Sequence, residues 1–203
     1  KLQAMHDAVA FDHDRHSYSV AGTTYPPVTT VGGMLNKPGL LYGAVKLARE
    51  GKDHEEVWGA QKAIGTRVHR AFENRVLETL GAATFPEEHD AESALLSASV
   101  AAWLAKASAQ IKWFRPECRL WHPEHRYAGT MDAPALWLDC PTIFDVKTCK
   151  TATTFYDDWL PQNAAYREAA RYHTGIEWQG AIIRVPKDGS EPNILPLGND
   201  PED

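Results

Sequence analysis

Cysteine is scarce in this chain. Cys118, Cys140 and Cys149 are the only three, with no CxxC pair. That excludes a disulfide framework, a zinc ribbon and a four-cysteine iron–sulfur cluster built from this chain alone. Long apolar runs are missing too: no stretch approaches the roughly 18 to 20 residues of a membrane-spanning helix. The first residues, KLQAMHDAVAFDHD, lack the basic start and apolar stretch of a signal peptide. The expectation is a cytoplasmic (intracellular), reducing setting without a membrane partner. There is also no Walker loop, no G-x-G-x-x-G, no G-x-S-x-G and no H-E-x-x-H, which removes the common phosphate-loop, dinucleotide, serine-hydrolase and zinc-protease patterns. Nothing around Cys149 supports a cysteine nucleophile. Basic excess is absent as well. A net charge of −6 argues against non-specific coating of nucleic acid, though not against a local basic groove.

What remains is an ordinary globular composition. With 203 residues, 43% of them hydrophobic, the chain can bury a substantial core in a single domain. The pattern predicts an N-terminal hairpin, strands His16–Val20 and Thr24–Val31 turning at Ala21-Gly22. A short helix follows, LLYGAVKLAREG, ending at Gly51. A long helix from about Asp53 to Leu80 carries Ile64, Val68, Phe72, Val76 and Leu80 as an inner row, and Gly65 inside it suggests a close approach. A third helix spans Ala91–Gln110. The period then switches to two: IKWFRPECRLW, HRYAGTMDAPALWL and TIFDVKT read as a meander of three strands, with a turn over Asp139–Thr142. A helix from Trp159 to His173, started at Asp157-Asp158 and closed by Gly175, precedes two last strands, WQGAIIRVP and PNILPL. The order predicts one mixed α/β domain: hairpin and helices over about 11–110, a catalytic sheet and helix over about 111–175, and C-terminal strands over about 176–197.

Chemistry concentrates between Tyr127 and Lys147. Side chains alternate along a strand, so Asp145 and Lys147 share a face while Val146 points to a core. Alone, Asp145-Val146-Lys147 reads as a surface ion pair, since D-x-K arises by chance. Asp132, thirteen positions earlier on the preceding strand, changes that reading. Two carboxylates beside one lysine on a core-facing sheet are costly unless paired or holding a cation, and hard oxygen ligands suit Mg²⁺ or Mn²⁺. His69 shares one helical stripe with Gly65 and Glu73. A lone helical histidine is ordinarily a satisfied boundary residue; Glu73 either orients its imidazole or is a solvated charge. Gln162 and Tyr166 form an i, i+4 pair, either a helix–sheet contact or a polar pair facing the site. Arg167 and Arg171, and Lys150 beyond the strand, either meet phosphates or balance nearby acids. Glu117 is a more remote candidate, a carboxylate behind the ligands. The tryptophans, including Trp113, Trp121, Trp137 and Trp159, read as core.

Taken in order, GTRVHRAFE, YAGTMD, FDVKT and QNAAY resemble the PD-(D/E)xK nuclease superfamily, in the branch of RecB-type nuclease domains and phage or mitochondrial exonucleases. HSYSVAGTTYPPVTTVGGML is similar to the N-terminal hairpin of phage members. The resemblance implies a restriction-endonuclease-like core, a central mixed sheet flanked by helices. It implies His69, Asp132, Asp145 and the Val146 carbonyl as ligands of Mg²⁺ or Mn²⁺, and Lys147 as the catalytic lysine beside Asp132 and Asp145. Gln162 and Tyr166, with Glu73, Lys150 and Arg167, would support the site or the DNA. The activity implied is a metal-dependent DNA nuclease, an exonuclease of recombination, repair or phage replication. Its partners would be DNA ends and a recombinase, annealing protein or helicase. The chain departs from iron–sulfur-bearing members in lacking their four cysteines. The alternative expectations are a nuclease-like module that binds nucleic acid or protein without cutting, and a hydrolase of other phosphoesters.

Overall fold

The computed structural model describes residues 1–33 and 38–198, with side chains described outside 31–41. Its architecture is mixed α/β, as expected. The N-terminal part comprises α1 (Leu2–Ala8), β1 (Ala10–Asp12), β2 (Ser17–Val20), β3 (Thr23–Tyr25), α2 (Val28–Gly33), α3 (Pro38–Arg49), α4 (His54–Thr79) and α5 (Ala91–Ala107). Then come β4 (Ile111–Trp113), β5 (Cys118–His122), β6 (Tyr127–Met131), β7 (Ala133–Trp137), β8 (Cys140–Cys149), α6 (Trp159–Thr174), β9 (Gln179–Pro186) and β10 (Asn193–Leu197).

Five strands form the central sheet in the order β10-β9-β8-β7-β4. Only β8 and β9 run parallel, joined through α6 as a strand–helix–strand unit; the other pairs are antiparallel. Helices α4 and α5 cover one face. Val68, Phe72 and Val76 of α4 and Val100 and Leu104 of α5 pack on Ala133, Phe144, Val146 and Ile183. Phe72 meets Trp113 edge-on at 5.5 Å. Helix α6 covers the other face, where Tyr166 and Ala169 pack with Ile143 and Met131. Sequence signals explain the ends. Asp53 caps α4 by accepting from Glu55 N–H, and Asp90 forms a reciprocal capping box with Ser93 at α5. Gly175 closes α6 in the left-handed region at φ 69°.

The structure corrects several expectations. The strand expected over Thr24–Val31 stops at Tyr25, because Pro26 and Pro27 offer no N–H to a ladder; Thr30 N–H donates to Pro27 O as α2 begins. The segment expected through Gly51 is helix only to Arg49, and α5 ends at Ala107 rather than Gln110. Leu80 leaves the apolar row, since it caps α4 and is exposed. A Cβ on Gly65 would sit 3.5 Å from Thr148 Oγ1, an ordinary contact, so no backbone approach among the described residues requires glycine there. The turn after β7 is only Leu138-Asp139, both at positive φ (50° and 64°), and β8 already starts at Cys140. Residues 34–37 and 199–203 lie outside the described residues.

The largest correction concerns the meander. Its first two expected strands are each broken. β4 and β7 lie in the central sheet, whereas β5 and β6 pair apart from it as a two-stranded ribbon. The breaks face one another: Pro116-Glu117 on one side, with Glu117 at φ 48°, and Asp132 on the other. Glu117 N–H donates to Asp132 O at 2.9 Å across the bend. No described helix is long and apolar enough to cross a membrane.

Candidate metal centre

The split between β6 and β7 creates the site. Phe144 is the last residue of β8 paired with β7, opposite Ala133. One residue earlier, at Asp132, the chain turns away into the ribbon. Val146 N–H, which a longer β7 would have engaged, donates instead to Asp132 Oδ2 at 2.7 Å. A strand residue points its N–H and C=O to the same side, so the Val146 carbonyl faces this same gap. Its side chain is fully buried in the core on the opposite face from Asp145, as expected.

Asp145 is 1% exposed and meets Lys147 Nζ through Oδ2 at 2.7 Å. Lys147 Nζ also donates to Gln162 Oε1 at 3.1 Å. Gln162 Nε2 donates to the Tyr166 hydroxyl at 3.1 Å and lies 3.4 Å from Asp145 Oδ1. The pair on α6 therefore faces the D-x-K strand. Tyr166 can stand there because residue 129 is glycine: a Cβ at that position would lie 2.6 Å from Tyr166 Cε1. From α4, His69 brings Nδ1 to 3.5 Å from Asp132 Oδ2, and both side chains are partly open to solvent.

Burial sets the electrostatics. The Asp145 carboxyl is pushed up to about 6 by desolvation and by Asp132, against the pull of Lys147. For Lys147 burial alone would lower the pKa, but Asp145 and Asp132 outweigh it and raise it, so the ammonium stays charged. Desolvation raises the Tyr166 phenol well above its usual range. Glu117, which sequence reasoning held only as a remote candidate, is pushed up to about 8 by burial and by the neighbouring carboxylates of Asp132 and Glu73. One ligand atom each of His69, Glu117 and Asp132 lie within 4.8 Å of one another.

The donors fit a divalent cation: one imidazole and several carboxylate oxygens, with one ligand atom each of His69, Glu117 and Asp132 already converging. His69, Asp132, Asp145 and the Val146 carbonyl could hold it.

Other expected residues are placed elsewhere. Glu73 is buried, neither solvated nor bonded to His69; it takes Arg70 Nη1 at 2.5 Å, one turn back along α4. Arg167 donates to Trp178 O at 2.9 Å and lines a 760 Å³ cavity between α6 and β10, away from the carboxylates. A group that projects one turn beyond Asn163 faces β9 rather than the site. Arg171 pairs with Glu168 rather than with Asp157 or Asp158. Lys150 is exposed, and no contact among the described residues draws it to the centre. Trp113 and Trp159 are core, as read, while Trp121 and Trp137 are half-buried against it. No family model matches the chain, and no curated protein matches it in sequence.

Proposed function

We propose that this protein is a Mg²⁺- or Mn²⁺-dependent DNA nuclease of the PD-(D/E)xK type, hydrolysing phosphodiester bonds from strand ends. The observation that carries the reading is the 3.5 Å approach of His69 to Asp132 at the strand split, beside the Asp145–Lys147–Gln162 chain, whose buried carboxyl feels the Asp132 charge. A cation held by His69, Asp132, Asp145 and the Val146 carbonyl would supply Lewis-acid stabilisation of charge at the phosphoryl group.

The chain's own residues divide the remaining work. Lys147 keeps its proton, because Asp145 and Asp132 raise its pKa. Its role is to stabilise negative charge on a phosphoryl oxygen and to hold the water in line. Gln162 fixes the ammonium from the far side through its 3.1 Å contact, and Tyr166 fixes Gln162. The burial of Asp145 and Lys147 lowers the local dielectric and strengthens each of these contacts.

The test is incubation of 5′- and 3′-labelled single- and double-stranded DNA with the protein and Mg²⁺ or Mn²⁺, beside an EDTA control. The expected result is progressive loss of label from an end, absent with EDTA. Intact DNA under every cation condition would refute nuclease action, and tight DNA binding without cleavage would establish a binding module in its place.

A further inference from the structure

The ligand set above leaves Glu117 unused, yet its position is closely specified. Its backbone is held by the 2.9 Å bond from its N–H to Asp132 O. Its carboxylate accepts no hydrogen bond and makes no ion pair among the described residues. The nearest arginine, Arg70, is taken by Glu73, and Lys147 is taken by Asp145 and Gln162. A partly buried carboxylate among other carboxylates, with no donor, is a costly arrangement unless something absent from the chain compensates it.

Charge counting says what compensates. Lys147 balances Asp145. A ligating imidazole is neutral and ligating carboxylates are ionised, so His69, Glu117 and Asp132 together carry two negative charges. One divalent cation balances them. Oxygen and nitrogen atoms of these three side chains already converge, within 4.8 Å of one another. Beside them the Asp145 carboxylate, 1% exposed, is already held by Lys147 at 2.7 Å, so that lysine is not left over for Glu117.

We infer that Glu117 is a direct ligand of the divalent cation, forming with His69 and Asp132 one three-donor face of the centre. This rests on the metal-centre reading above and extends it by a residue. The mixed imidazole and carboxylate donors favour Mn²⁺ over Mg²⁺, since imidazole suits borderline metals and Mn²⁺ accepts both.

Calorimetric titration of Mn²⁺ into the full chain tests this, with Glu117→Gln, Asp132→Asn and wild type compared, and with metal-free melting followed in parallel. Glu117→Gln is expected to weaken Mn²⁺ binding by tenfold or more and to shrink the Mn²⁺-induced rise in Tm. Its metal-free Tm should equal or exceed that of wild type, because a repelled carboxylate has been neutralised. That second readout separates ligand loss from misfolding. Mn²⁺ affinity of Glu117→Gln within twofold of wild type, with Asp132→Asn impaired, would overturn the role of Glu117 alone. Absence of Mn²⁺ binding by wild type would overturn the metal centre and Glu117 with it. A Mn²⁺-soaked crystal should place a Glu117 oxygen about 2.0 to 2.4 Å from the ion; a longer separation through water contradicts the inference.

Discussion

Replacing Gly129 by alanine tests the link between packing and chemistry. The added Cβ would lie 2.6 Å from Tyr166 Cε1, 3.3 Å from Val28 Cγ2 and 3.5 Å from Tyr166 Cζ. The first distance is far inside van der Waals contact, so the ring must move. Tyr166 is 4% exposed and packs among Met131, Ile143 and Ala169, so it has little room to do so. Overpacking of this kind costs about 1 to 3 kcal/mol. Alanine in place of glycine in a strand returns roughly 0.5 to 1 kcal/mol. The net loss is about 1 to 2 kcal/mol, a Tm decrease of roughly 2 to 8 °C for a chain of this size. Displacing the ring also moves the hydroxyl that receives the Gln162 Nε2 hydrogen bond, and Gln162 holds Lys147. Cleavage should therefore fall further than stability does, at temperatures where the variant is fully folded. Urea denaturation with single-turnover cleavage measures both. Tyr166→Leu in the Gly129→Ala background removes the clash, so the two substitutions should be strongly non-additive in stability. If the two changes simply add, or Gly129→Ala matches wild type in both assays, the proposed close approach is wrong.

Gln162→Ala should lower cleavage by about ten- to a hundredfold while changing Mn²⁺ affinity far less, because it removes one partner of Lys147 and only a long 3.4 Å contact to one assigned ligand, Asp145; a typical hydrogen bond contributes only about 1 kcal/mol to stability. Equal loss of metal binding and cleavage would contradict this. Relative to Glu117→Gln, the metal-free wild type should lose stability as pH rises from about 4 to 8; His6, His122 and His173, whose pKa values burial lowers, act in the opposite sense in both proteins and cancel in the comparison. Glu117 and Asp145 have folded pKa values, about 8 and about 6, above their ordinary 4.5 and 3.8, so the folded state binds more protons across that window. Stability is complete below the unfolded values and is lost through the folded ones. A wild-type urea midpoint that does not fall relative to that of Glu117→Gln over this range without metal would refute it, and saturating Mn²⁺ should remove most of the difference.

Local pattern carried much of this fold. The alternation of Asp145, Val146 and Lys147 placed the two charged groups on one face and Val146 in the core. The row Ile64, Val68, Phe72, Val76 identified the inner face of α4, and Gly175 marked the end of α6; the N-cap expected at Asp157-Asp158 fails, since Asp158 is itself helical and makes no side-chain capping hydrogen bond. The strand split was not read, because it depends on which sheet each half joins, a tertiary choice. A local sign of it exists nonetheless. Buried positions run over odd numbers at Ile111 and Trp113 and over even ones at Cys118 and Leu120, and such a phase slip marks a bend. Pro116-Glu117 sits at the slip, so Glu117 could have been promoted on that ground. The β-branched run after Pro27 pointed to a strand, but two prolines without N–H ended the ladder. The placement of Arg167 over β9 was not legible, because side-chain direction on α6 follows from Asn163, whose Nδ2 donates to Ile143 O and whose amide packs on Gly180. That glycine contact is invisible until helix and sheet are assembled.

The most direct measurement is the rate of end-labelled DNA degradation with Mg²⁺ or Mn²⁺ for wild type, Asp145→Asn and Lys147→Ala. Melting curves should confirm that each protein is folded. Wild type is expected to degrade the DNA in a strictly cation-dependent manner. Asp145→Asn and Lys147→Ala should each lose at least about two orders of magnitude, a loss of roughly 3 kcal/mol in transition-state stabilisation. Degradation by both variants at the wild-type rate would contradict the account.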